Sequence, residues 1–250
     1  MTDVAASRSV AATAQEARSL VHPGARSTSS DRTAAAAAGV LFVVADVAAI
    51  VGGLLLEGPL TRSDALARIA GSEGRVATGV LLELVLALSV AGIGVLLYPV
   101  LRRRHEALAL GYVAARLLES VLLLAAATSA LVFLTLGQDQ GREGLVPLGD
   151  ALMAGRDRTL LLGGLVLLGV STVILNSLLL RGKLVPAWLA YWGLAGGVLV
   201  FVRGLLELYG LEPGLADVVL TAPVAVYELA LAARLIARGL HEPAAALGRP

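Results

Sequence analysis

The stretch GYVAARLLESVLLLAAATSALVFLTL, from Gly111 to Leu136, decides how this chain is read. It is apolar and longer than the roughly 20 residues a helix needs to cross the hydrocarbon of a bilayer. Yet it carries Arg116 and Glu119, which a helix would place one turn apart on the same face. A span that contains a cation and an anion needs polar surroundings, and other apolar stretches of the chain supply them.

The bulk composition agrees with a membrane setting. Hydrophobic residues make up 57% of the 250 positions and charged residues 16%, and the mean hydropathy is +0.82, well to the apolar side of soluble domains. Cysteine is absent, which excludes disulfides, thiolate metal sites and cysteine nucleophiles. The net charge of +1 carries no message as a total, so only its distribution matters.

Six stretches are long and apolar enough to span: Ala34 to Leu56, Val76 to Leu97, Leu108 to Leu136, Leu160 to Leu180, Ala187 to Tyr209 and Leu215 to Ile236. Charge, Gly or Pro bounds each of them. The alternation that a membrane β-barrel requires is missing, so helices must satisfy the backbone in lipid. The fold class is therefore all-α, a polytopic bundle of six transmembrane helices. Residues 1–32, rich in Ala, Ser, Thr and Arg without an apolar run, read as a disordered tail. Residues 33–238 form the membrane domain and 239–250 a second short tail.

The short connections Arg102 to Arg104 and Arg181 to Lys183 are strongly basic, and short basic loops stay cytoplasmic. Both then lie on the same side as the two termini, in a multi-pass protein of the cell membrane. On the opposite side, Thr61 to Ala70 suits a short amphipathic helix capped by Ser63. Gly137 to Asp157 reads as the longest loop.

Chemistry, if any, belongs to the ionisable residues inside the spans: Asp46, Glu83, Arg116, Glu119, Arg203, Glu207 and Glu228. An ionised group at the centre of a span costs at least ~2.5 to 3.5 kcal/mol. Seven of them facing lipid would exceed the usual folding margin of about 5 to 15 kcal/mol, so they must face one another or water. Arg116 with Glu119 and Arg203 with Glu207 have helical spacing for ion pairs within their own helices. Asp46, Glu83 and Glu228 are left without a basic partner in the spans. Five carboxyls against two guanidiniums imply that at least one carboxyl holds a proton at neutral pH.

Smaller signals concern packing. Gly193 and Gly197 form a G-x-x-x-G pattern that permits close helix contact; contact within the bundle is favoured over an oligomer. Pro223 interrupts the hydrogen-bond ladder of the last span. Asn176, Ser171, Thr172 and Ser177 offer hydrogen bonds from the fourth. His22, His105 and His241 all lie outside the spans, and no phosphate-loop, zincin or nucleophile-elbow pattern occurs. No cofactor or metal is expected, and basic residues without interleaved aromatics give no case for nucleic acid.

Several segments resemble a bacterial integral-membrane family known as domain of unknown function 4386. They are Ser72-Glu73 with Arg75, LLYPVLRRRHEALALGYVAARLLES at Leu96 to Ser120, RGKLVPAWLAYWGLAGGVL at Arg181 to Leu199, and APVAVYELALAARLIARGL at Ala222 to Leu240. The resemblance implies six membrane helices and motif positions at Glu73, Arg116, Glu119, Pro186 and Glu228. It implies no activity. Arg234 stands where the family pattern often carries an aromatic residue.

Two readings fit these observations. One is a proton-linked carrier of a small solute or ion, with Arg116 and Arg203 as anion contacts and Asp46, Glu119 and Glu228 as proton sites. The other is a non-catalytic structural or accessory protein whose charges only fix helix packing. An enzyme is the least favoured class, because no nucleophile, metal site or cofactor motif is visible. The lipid bilayer is the one partner common to both readings.

Overall fold

The computed structural model describes residues 24–60, 71–138, 142–211 and 214–240. The described residues form helices and no strand. Six helices are long and apolar enough to cross a membrane. They are α1 (Gly24–Leu60), α2 (Glu73–Leu101), α3 (Glu106–Gly137), α4 (Val146–Arg181), α5 (Ala187–Leu208) and α6 (Ala216–Arg238). The protein is a multi-pass membrane protein.

Each helix packs against the next in the chain, and α6 packs back against α1. The result is a closed up-and-down ring. At one end Arg103 pairs with Asp31 at 2.5 Å, a Cβ on Gly182 would lie 3.1 Å from Arg104 Cγ, and one on Gly239 would lie 3.5 Å from Arg32 Cγ. These contacts gather the start of α1, the α2–α3 and α4–α5 turns and the end of α6 at one basic end. The α2 pattern shows how the faces divide. Leu81, Leu88 and Val95 recur every seven residues and are exposed, whereas Val80, Ala87, Val90, Ile93 and Leu97 are buried. An exposed apolar stripe of that kind is stable against lipid tails, with the opposite stripe packed in the bundle.

Small residues set the helix spacing where α4 meets α5. A Cβ on Gly169 would come within 2.8 Å of the Gly197 carbonyl oxygen, and one on Gly193 within 2.4 Å of Asn176 Oδ1. The G-x-x-x-G face is therefore occupied inside the chain. Gly196 similarly meets the backbone of Pro223 and Val224 on α6, so α5 approaches α6 at the proline itself.

Two expected segments differ in the structure, and others lie outside the described residues. Helix α1 begins at Gly24, so residues 24–32, read from composition as tail, are helical. The Ala-rich run that follows has high helix propensity, and the Asp31–Arg103 ion pair ties this first part of α1 to the bundle. Helix α4 begins at Val146, so much of the expected loop Gly137 to Asp157 is helix. A π-helical segment, Leu161–Leu167, joins its two halves. The proposed amphipathic helix at 61–70, residues 1–23 and residues 241–250 lie outside the described residues.

Candidate functional site

The interior charges separate into three groups at different depths. The central one is built on Arg116, which is 2% exposed. It lies about 15 Å along α3 from Glu106, at 1.5 Å per residue. Its Nη1 donates to both carboxylate oxygens of Glu119 at 3.1 Å. Nη2 donates to Glu228 Oε1 on α6 at 3.4 Å, and Nε donates to the Tyr112 hydroxyl at 3.3 Å. The guanidinium also lies 5.6 Å from the Phe42 ring centroid and 5.8 Å from that of Tyr112, a cation–π arrangement that strengthens once water is excluded. Gly94 on α2 makes room for it, since a Cβ there would be 3.2 Å from Arg116 Cβ.

Around this cation stand three carboxyls. Glu119 also accepts a hydrogen bond from Ser171 Oγ on α4 at 3.4 Å. Asp46 on α1 faces Glu228 within hydrogen-bonding reach, with Arg116 as the nearby cation. Asp46 Oδ2 is itself buried and has no hydrogen-bond partner among the described residues. Toward the basic end the site is floored by Tyr227, whose hydroxyl donates to Asn176 Oδ1 at 2.6 Å, while Asn176 Nδ2 donates to the Thr172 carbonyl at 2.9 Å.

The second group is a one-to-one pair across α2 and α4. Arg156 donates through Nη1 to Glu83 Oε2 at 3.0 Å and through Nη2 to Glu83 Oε1. Its Nη1 also donates to the Ala126 carbonyl of α3 at 2.5 Å. Both side chains are buried, and the bidentate fork satisfies them together. The third group sits at the end of the ring opposite the basic turns. Arg203 donates to Glu207 at 2.7 Å and to Asp217, and Asp217 is 44% exposed.

Arg116 with Glu119 and Arg203 with Glu207 pair as their helical spacing predicts. Glu83 and Glu228, which have no basic partner by spacing alone, both find one in the structure. Glu228 shares Arg116, and Glu83 binds Arg156, a residue assigned to the loop before the fourth span. Glu83, Arg203 and Glu207 do not join the central site. Phe42, Tyr112, Ser171 and Tyr227 do, although only Ser171 stood out in the sequence. The arrangement also concentrates the charge excess. The Arg156 pair is balanced and the Arg203 group is part-exposed at the rim, whereas the central site sets one guanidinium against three carboxyls.

Of the motif positions implied by resemblance, Arg116, Glu119 and Glu228 form this site. Glu73 opens α2, and nearby Arg75 donates to the Leu54 and Leu55 carbonyls at the end of α1, at 2.9 and 2.8 Å. Pro186 stands immediately before α5. Residues 37–239 match the sequence model of a family described as Domain of unknown function (DUF4386), a range that contains all three charge groups. No curated protein and no solved structure matches the chain.

Proposed function

The chain belongs to the DUF4386 family, whose description names no activity, and from that premise we propose that it is a proton-linked carrier of a small solute or ion. The observation that supports this reading is the central carboxyl excess: Asp46 faces Glu228, its Oδ2 has no hydrogen-bond partner among the described residues, and one guanidinium serves three acids. Two carboxyls at such range share a proton more readily than they both ionise. With the proton in place, α1 and α6 are drawn together beside Arg116. Its departure leaves two like charges across that contact and Arg116 as their counter-ion, which biases the ring toward a second arrangement. Arg203 and Glu207, at the rim, meet the solute before it reaches the centre. The basic end faces the cytoplasm of the cell membrane, on the bias of Arg and Lys in the short turns.

Reconstituted vesicles carrying a pH-sensitive dye, challenged with a panel of small ions and solutes, test the proposal. Proton movement that depends on one class of solute and disappears in Asp46→Asn and Glu228→Gln is the expected result. The absence of coupled flux with every solute, together with no ligand-dependent rise in melting temperature, would overturn it.

A structural role is the second reading, and the saturation of Arg116 favours it. Two acids, a phenol and two aromatic faces already occupy that guanidinium. On this reading Glu119→Gln and Arg116→Ala lower stability in a coupled way, which a double-mutant cycle measures.

A further inference from the structure

Lys183 is the sole lysine of the chain. It is also the one non-glycine residue with positive φ among the described residues, at 51°. The reason lies in the end of α4. Lys183 N–H donates to the Leu180 carbonyl at 3.1 Å and Leu184 N–H to the Leu179 carbonyl at 2.9 Å, the paired bonds of a Schellman motif. That motif places a left-handed residue just past the helix, where glycine is the favoured choice. Here the glycine, Gly182, is one position too early, and a lysine occupies the left-handed position. A backbone outlier kept against local preference points to a use for the side chain.

The surroundings indicate the use. Arg181 and Lys183 are exposed on this turn. The exposed Arg104 lies over it, since a Cβ on Gly182 would meet its Cγ at 3.1 Å. Arg103 on the same end is engaged by Asp31, but none of Arg104, Arg181 and Lys183 has a carboxylate partner among the described residues. At the start of α5, Trp188 is 62% exposed and Tyr191 60%, with the Trp188 and Trp192 rings 6.3 Å apart. Exposed indoles and phenols at a span end settle at headgroup depth.

We propose that Arg104, Arg181 and Lys183 form a binding site for the phosphate of one anionic phospholipid, whose acyl chains lie along the Trp188 face of α5. Three cations around a single turn, none with a carboxylate partner among the described residues, complement a phosphodiester, and the aromatic face beside them suits the glycerol and upper acyl region. The site is separate from the interior charges and does not depend on the carrier reading.

Native mass spectrometry of the full chain, released from nanodiscs of equal parts phosphatidylglycerol and phosphatidylcholine, tests this. Wild type is expected to retain one phosphatidylglycerol. At about fivefold per cation near a headgroup, Lys183→Gly lowers that retention about fivefold and the double change Lys183→Gly with Arg104→Gln about twenty-five-fold. Lys183→Gly also removes the unfavourable φ, so its melting temperature stays equal or rises, which separates lipid loss from misfolding. Arg103→Gln, whose cation is already paired, retains the lipid as wild type does. Equal retention in Lys183→Gly and wild type overturns the proposal. So does an equal loss in Lys183→Gly and Arg103→Gln, because that result describes diffuse surface charge rather than a site.

Discussion

Two buried ion-pair sites, on helices of the same ring, have opposite charge arithmetic. The Glu83–Arg156 site is one acid against one base, both buried and joined by a two-pronged fork. The Arg116 site is one base surrounded by Asp46, Glu119 and Glu228. A balanced buried pair contributes little beyond orientation, but breaking it strands a charge at low dielectric. A site with excess carboxyls is different, since removing one acid relieves repulsion as well as losing a contact. Depth reinforces the contrast: the balanced pair ties α2 to α4, while the excess lies where α1, α3 and α6 meet.

The largest expected effects come from the bases. Arg156→Ala and Arg116→Ala each strand buried carboxyls and are expected to cost at least about 3 to 5 kcal/mol, read by unfolding in detergent. Substituting the acids separates the sites. Glu83→Gln leaves Arg156 unpaired and falls in the same range of about 3 to 5 kcal/mol, whereas Asp46→Asn relieves repulsion while its amide still donates to Glu228, and costs no more than about 1 kcal/mol. Similar losses for these two variants would mean that the two sites do not differ in charge balance. Gly193→Ala pushes a methyl into the Asn176 amide and is expected to cost about 1 to 3 kcal/mol by overpacking. Tyr227→Phe removes only the hydroxyl that Asn176 accepts, for about 1 kcal/mol. If Gly193→Ala and Tyr227→Phe couple in a double-mutant cycle, the floor of the central site acts as one unit.

What was legible in the sequence follows from range. Six spans could be read because length and hydropathy are local properties. Arg116 with Glu119 and Arg203 with Glu207 were legible because helical periodicity brings them together. The Glu228–Arg116 and Glu83–Arg156 contacts join residues 112 and 73 positions apart, and one sequence carries no signal of such pairing. Arg156 is hidden in the sequence for a further reason. The segment Arg156-Asp157-Arg158 resembles a loop by charge, and only the Glu83 fork and the Ala126 carbonyl make it compatible with a buried helix. Pro147, in the first turn of α4, was the available sign of a helix start. By sequence the Lys183 turn is a basic loop like any other, and only its φ sets it apart.

We propose that the three central carboxyls, Asp46, Glu119 and Glu228, set against one guanidinium, share a proton among them. Carbodiimide labelling of the purified protein from pH 5 to 9, with modified residues located by mass spectrometry, tests it directly, because the reagent prefers protonated carboxyls in apolar surroundings. Modification at Asp46, Glu228 or Glu119 that declines as pH rises is expected, with Glu83, held in the Arg156 fork, unmodified. Labelling of Glu83 equal to that of the central acids, or no labelling of any central acid at any pH, would contradict it.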